Sequence, residues 1–94
     1  MNTKVNTKFS NTLKFGDTHT DVKRLQIFLN GQGFKVALSG PGSPGNESTY
    51  YGPATAAAVS KFQTAHANEI LAPNGLNKPT GVFGPSTIKV VNSI

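Results

Sequence analysis

The feature that most constrains the fold is a helix-start pattern that occurs twice. An aromatic residue, Gly, Pro, a small residue and Thr stand at 51–55 as Tyr-Gly-Pro-Ala-Thr and return 32 positions later at 83–87 as Phe-Gly-Pro-Ser-Thr. Proline suits the first position of a helix because the N–H that it lacks would have no intrahelical acceptor there. The pattern predicts two helices, beginning at Pro53 and Pro85, each with an aromatic residue packed inward just before it. Two copies are too few for a solenoid.

A further helix is predicted ahead of these two, after Gly16. Four apolar residues recur there at helical spacing and define its buried face: Val22, Leu25, Phe28 and Leu29. The spacing of Thr18 and Asp21 fits a capping box, with Thr20 as the alternative N-cap. Gly33 predicts the end of this helix, because glycine accepts the left-handed conformation that follows many helices.

The segments between the helices are predicted to be loops and short extended stretches. Phe34, Val36 and Leu38 alternate with other residues, which is typical of an extended segment with one buried side. Residues 39–49 and 73–81 are rich in Gly, Pro, Ser and Asn and predict loops. Together these elements predict an all-α fold, a compact three-helix bundle with long Gly/Pro-rich loops and short extended segments. Its predicted core consists of Leu13, Val22, Leu25, Phe28, Leu29, Phe34, Val59, Phe62, Phe83, Val90 and Val91.

The chain has 94 residues, which fits one domain and leaves no room for two. We predict that residues 13–94 form this domain and that residues 1–12 form a flexible basic arm. Three apolar residues are the predicted anchors of the arm: Phe9, Leu13 and Phe15. The net charge is +5, and the arm and the residues just after it contribute Lys4, Lys8 and Lys14 with no acid among them. Such a segment attracts polyanions.

Several classes of site are disfavoured. The absence of cysteine excludes disulfides and thiolate metal sites. His19 and His66 do not share a metal-ligand spacing. Residues 40–45 spell G-x-G-x-x-G, but no helix is predicted to begin there, and two of the six residues are prolines without an N–H. Glu47 is the only acid without an evident structural role, and no nucleophile stands in a recognisable catalytic frame. We therefore predict no catalytic residue, no metal and no cofactor, and the chain has no apolar run long enough to cross a membrane.

Three spaced motifs form a more specific signature. Leu25-Gln26 lies in the first helix, Gly-x-x-Thr-x-x-Ala-Val-x-x-Phe-Gln spans 52–63, and Gly-x-x-Gly-x-x-Thr spans 81–87. This set, within about residues 13–92, resembles the peptidoglycan-binding domain family, the three-helix modules attached to bacterial wall hydrolases. The resemblance implies non-catalytic binding of peptidoglycan, through its glycan or its stem peptide. It also implies delivery of an attached catalytic or secreted domain to the wall, hence an extracytoplasmic location. Residues 1–15 lack the apolar region of a secretion signal, so we expect that signal to have been removed or to lie in a longer parent chain.

The candidate ligand-binding residues cluster around the start of the second helix, whose free N–H groups suit a carboxylate or acetamido oxygen. Tyr51 is expected to pack inward, and two interpretations remain open for Tyr50: it either faces solvent and is free to stack on a ligand, or packs on the domain as Tyr51 does. Gln26 and Gln63 lie beside the apolar faces of their helices, and for both we favour hydrogen bonds that lock the loops over ligand contact. The candidate set is Asn46, Ser48, Tyr50, Gly52, Thr55 and Gln63.

Two alternative functions remain open at this point. A small basic helical domain could bind nucleic acid, but only one of the nine basic residues is Arg (Arg24), and bidentate recognition of phosphates and bases favours Arg. The chain could also be a prodomain-like interaction module that caps an enzyme.

Overall fold

The computed structural model describes residues 8–94 and contains four α-helices in that range. They are α1 (Thr20–Gly31), α2 (Pro53–Ala65), α3 (Ala67–Ile70) and α4 (Pro85–Ser93), and a 3₁₀ turn follows α3 at Ala72–Asn74. The predicted all-α fold is confirmed: the three predicted helices are α1, α2 and α4, and the one-turn helix α3 is additional. The described residues form no strand, only two isolated bridges, Leu13 with Phe83 and Thr18 with Tyr50. None of the helices found in residues 8–94 is both long and apolar enough to cross a membrane.

The two repeated helix starts are confirmed and adopt nearly the same backbone conformation. Gly52 precedes α2 with φ −100° and ψ −169°, and Gly84 precedes α4 with φ −102° and ψ −170°. Tyr51 and Phe83, the aromatic residues before them, are both fully buried. The Tyr51 hydroxyl donates a hydrogen bond to the Gly81 carbonyl, and burial raises the pKa of this phenol above its ordinary value.

The start of α1 differs from the predicted capping box. The N-cap is His19, whose Nδ1 accepts a hydrogen bond from the Asp21 N–H at 2.9 Å. Thr18 instead forms a bridge with Tyr50, which takes it out of the helix start. The Asp21 carboxylate accepts hydrogen bonds from Asn11 and Arg24, at 3.0 and 2.9 Å. The predicted N-caps, Thr18 and Thr20, are therefore wrong, because a tertiary contact decides where this helix begins.

Most of the predicted core is buried, with differences at the edges. Phe28 and Phe34 are only partly buried and pack edge-on against Phe62, with ring centroids 5.8 and 5.6 Å away. Leu38 is 88% exposed, so the prediction of an extended segment with one buried side fails beyond Val36. The fold buries four apolar residues that the predicted core omitted, besides Tyr51 and Val36: Phe9, Ala58, Ile70 and Leu71.

The described part of the predicted arm lies against the domain. Phe9 is buried, its ring meets that of Phe83 edge-on at 5.1 Å, and the Arg24 guanidinium lies 4.4 Å from its centre. Leu13 is buried too, which confirms two of the predicted anchors, whereas Phe15 is 60% exposed and is not one. Residues 1–7 of the arm, with Lys4, lie outside the described residues.

Candidate functional site

Two buried glutamine side chains fasten the loops to the helices, and the first belongs to α1. Gln26 is buried, and its Oε1 accepts a hydrogen bond from the Ser48 N–H at 2.7 Å. Its Nε2 donates to the Tyr50 carbonyl at 3.1 Å and to Thr55 Oγ1 at 2.9 Å. The approach to α2 and its first turn are therefore held directly on α1.

Gln63 of α2 makes the corresponding set of hydrogen bonds one helix later. Its Oε1 accepts from the N–H groups of Thr80 and Gly81, both at 3.0 Å. Its Nε2 donates to the Val82 carbonyl at 2.9 Å and to Thr87 Oγ1 at 3.1 Å. The predicted locking role is confirmed for both glutamines, since each one binds the backbone of the following loop.

A cleft of about 170 Å³ opens in front of α2, and we call it the first cleft. It is lined by the helix start at residues 52–55, by Gln26, Ser48 and Tyr50, and by Val36, Pro41 and Gly42 of the preceding segment. Gly52 is the N-cap and has no side chain to accept hydrogen bonds from the first turn. As a result, the N–H groups of Ala54 and Thr55 find no acceptor among residues 8–94. Because Thr55 is buried and Ala54 is exposed, the Ala54 N–H is the backbone donor that the cleft offers to a ligand, beside an apolar edge.

Tyr50 lies directly over Gly52 at the edge of the first cleft. A Cβ atom placed on Gly52 would stand only 2.8 Å from Cε2 and 3.1 Å from Cδ2 of the Tyr50 ring. The missing side chain at position 52 therefore makes room for the ring. Because Tyr50 is 48% exposed, one part of its ring rests on the backbone and the rest faces solvent, which is the solvent-facing one of the two alternatives that the sequence left open.

The far side of the first cleft is a loop fixed by Asn30 of α1. The Asn30 Nδ2 donates to the Gly42 carbonyl at 3.0 Å and to Glu47 Oε2 at 2.9 Å, and its Oδ1 accepts from the Val36 N–H at 2.8 Å. The Glu47 carboxylate also accepts from the Gly45 N–H. The hydrogen bond from Asn30, foremost among these contacts, holds the pKa of Glu47 below its usual range. Glu47 therefore has the structural role that the sequence did not reveal.

The structure brings four of the six candidate residues together in the first cleft: Ser48, Tyr50, Gly52 and Thr55. Asn46 lies on the loop outside it, where its Nδ2 donates to Ser43 Oγ at 3.1 Å. Gln63 lines a different cleft, and all its hydrogen-bonding groups are engaged within the protein. Thr55 is buried, and its Oγ1 is held by Gln26. Among the candidates, Tyr50 is the side chain with the largest free apolar surface in the first cleft.

The cleft that contains Gln63 was not predicted from the sequence. It has a volume of about 350 Å³ and opens in front of α4; we call it the second cleft. It is lined by Gln63, Thr80, Val82 and residues 84–87, and by Ile70, Leu71, Asn74 and Leu76 of the α2–α4 connection. The repeat at 51–55 and 83–87 is the sequence signal that could have indicated it.

Within the part of the chain that the structure describes, no group of three or more His, Cys, Asp or Glu side chains is placed to hold a metal ion. The features present are two preformed clefts with apolar edges, the first of which also has an open backbone donor. These features define a small helical binding module.

A comparison with known families identifies the module. The model of the peptidoglycan binding domain family matches residues 18–91, and the chain belongs to this family. The match covers α1, α2, both clefts and α4 as far as Val91. It supports peptidoglycan binding and a cell-wall context for the domain. A search of curated proteins gives no significant match.

Proposed function

We propose that this protein binds bacterial peptidoglycan non-catalytically through the first cleft and thereby brings an attached catalytic or secreted domain to the cell wall. The observation that carries the proposal is the family match over residues 18–91, which includes every residue of that cleft. The location that follows is extracytoplasmic.

The chemistry of the first cleft fits a glycan with acetamido groups. The exposed part of the Tyr50 ring offers an apolar face to the C–H side of a sugar ring. Beside it, the N–H group of the exposed Ala54 at the positive end of α2 suits an acetamido or carboxylate oxygen. The Ser48 hydroxyl, which accepts weakly from the Tyr50 N–H at 3.3 Å, can turn towards a ligand.

The remaining candidates act on the ligand through the loops that they hold. Asn46 bonds to Ser43 and helps to fix the loop that borders the first cleft. Thr55 and Gln63 position backbone through their hydrogen bonds. A cleft whose edges are fixed in this way loses little conformational entropy when a ligand binds.

Sedimentation with purified sacculi tests the proposal. We expect the chain to sediment with sacculi at low and at physiological salt, and the Tyr50→Ala variant to remain largely in the supernatant. Leu38→Asp is a matched control, because Leu38 is 88% exposed and lines neither cleft. If the wild-type chain stays in the supernatant at both salt concentrations, the proposal is wrong.

Delivery of an attached domain is tested separately with a fluorescent protein fused to the chain. The fusion should label the surface of bacterial cells whose wall is accessible, and Tyr50→Ala should reduce the label. Equal labelling by the fusion and by the fluorescent protein alone would contradict the targeting role.

A further inference from the structure

The second cleft repeats the construction of the first at every position that the helix starts share. Counting 32 residues on from the first cleft, Ser48 corresponds to Thr80, Tyr50 to Val82, and residues 52–55 to 84–87. Gln63 is the counterpart of Gln26, because each side-chain amide hydrogen-bonds to a loop carbonyl, to a loop N–H and to the threonine of the next helix start. The two clefts are therefore equivalent parts of an internal repeat.

The two clefts have different edges and therefore suit different ligands. The aromatic ring of the first cleft is replaced by Val82. The opposite side of the second cleft is formed by three aliphatic residues, Ile70, Leu71 and Leu76; Ile70 and Leu71 are buried in the core, and Leu76, which is 40% exposed, is the one open to a ligand. An edge without a flat ring offers no stacking surface to a sugar, but aliphatic walls accept small methyl-bearing side chains.

The second cleft is also preformed. Asn74 joins its two sides: its Nδ2 donates to the Ile70 carbonyl at 2.8 Å and to Ser86 Oγ at 2.9 Å. Asn30 has the same structural role at the first cleft, where its side chain donates hydrogen bonds to Gly42 and Glu47 of the loop. Both clefts thus have an outer side that is fixed to a helix by an asparagine.

We infer that the second cleft is a second peptidoglycan subsite, one that takes the alanine-containing stem peptide while the first cleft takes the glycan. This inference rests on the proposed function, since it divides one polymer between two equivalent clefts. Peptidoglycan carries its peptides at regular intervals along the glycan, so a single strand presents both chemistries to one domain. Two subsites on one rigid domain raise the affinity for the intact polymer above that for either fragment.

The test uses the full isotope-labelled chain, a synthetic stem peptide that contains alanine, and peptide-free glycan strands, with amide chemical shifts as the readout. The peptide should shift the amides of Val82 and Ser86, and the glycan should shift those of Tyr50 and Ala54. Leu76→Asp should weaken peptide binding about fivefold or more and leave glycan binding unchanged. Tyr50→Ala should have the reverse effect, and Leu38→Asp should change neither.

The possible failures can be told apart. If the wild-type chain does not sediment with sacculi, the proposed function is wrong and the second subsite falls with it. If it sediments but the peptide shifts only the first cleft or no residue, or if Leu76→Asp binds the peptide as the wild type does, the second subsite alone is wrong. Circular dichroism checks that each variant folds. Should Leu76→Asp unfold, Val82→Thr keeps the branched shape at a position that is 37% exposed and reduces the apolar wall instead.

Discussion

Replacing Gly52 with alanine should move the Tyr50 ring and leave the helices in place. The Gly52 backbone, at φ −100° and ψ −169°, is open to alanine, so the helix start itself is not strained. The new Cβ would lie 2.8 Å from the ring, whereas ordinary contact begins at 3.4 Å, so the ring edge must move outward by about 0.6 Å or more. Because the ring is half-exposed, it can swing into solvent.

The expected loss of stability in Gly52→Ala can be worked out by comparison with Gly84→Ala. The two glycines have the same conformation and the same N-cap position, but a Cβ on Gly84 would meet only Val82, at 3.9 Å. At Gly84 the poorer capping by alanine and the smaller entropy of the unfolded chain nearly cancel, to within about 0.5 kcal/mol. Gly52→Ala additionally loses the packing of the Tyr50 ring, about 1 kcal/mol. For a domain of this size, that difference lowers the Tm by about 4–8 °C relative to Gly84→Ala.

The affinity for glycan strands should fall when the Tyr50 ring is displaced. We expect Gly52→Ala to weaken glycan binding about fivefold, towards the level of Tyr50→Ala, as measured by the titration of amide shifts. Gly31→Ala is the binding control, because Gly31 ends α1 and no atom lies within 4 Å of its added Cβ. If Gly52→Ala binds glycan like Gly31→Ala and melts together with Gly84→Ala, then the ring does not depend on Gly52, and our account of the first cleft is wrong.

Three further predictions concern stability. Gln63→Leu should lower the free energy of unfolding by about 3 kcal/mol in urea titrations, because it leaves the buried Gly81 N–H, and two partly buried backbone groups beside it, without a partner; an unchanged urea midpoint would contradict the locking role. Phe9→Ala should cost about 3 kcal/mol in the same assay, since the ring is buried against Phe83, and a loss below about 0.5 kcal/mol would show that residue 9 is not part of the core in solution. Hydrogen bonds from Asn11, and to a smaller extent from Arg24, lower the pKa of Asp21 in the folded chain. The stability that they give is therefore present above about pH 4 and is lost as the pH falls through the lowered pKa. Asp21→Asn should lose less stability on acidification than the wild type does, as measured by urea titrations at several pH values.

The parts of the fold that depend on local rules could be predicted from the sequence. Proline after glycine identifies the first residues of α2 and α4, and the repeat predicts that Tyr51 turns inward. Four of the six candidate residues meet in one cleft because they are neighbours along the chain, between positions 48 and 55. The start of α1 could not be predicted, because the bridge from Thr18 to Tyr50 joins residues 32 positions apart.

The second cleft could not be predicted for a related reason. Its aliphatic side comes from α3 and the following turn, and their place over α4 depends on packing and on the hydrogen bonds of Asn74. Composition predicts that residues 73–81 form a loop, but not which surface the loop covers. The repeat of the helix starts was the sequence signal that could have indicated a second cleft. The further correspondence of Ser48 with Thr80 and of Tyr50 with Val82 becomes evident only from the hydrogen bonds of Gln26 and Gln63 to those loops.

The internal repeat separates the residues that hold the helices together from those that line the outer edges of the two clefts. Gln26 and Gln63 fix the inner side of each cleft on a helix. The outer sides belong to the long connections, and an asparagine, Asn30 or Asn74, hydrogen-bonds each of them to a helix. Some outer residues are also buried in the core, and a change there would disturb the packing. A change at an exposed outer position, such as Leu76, alters the edge of a cleft without moving the helices. Under the two-subsite proposal, one small domain binds two chemically different parts of the same polymer, because the two clefts share a frame but not their walls.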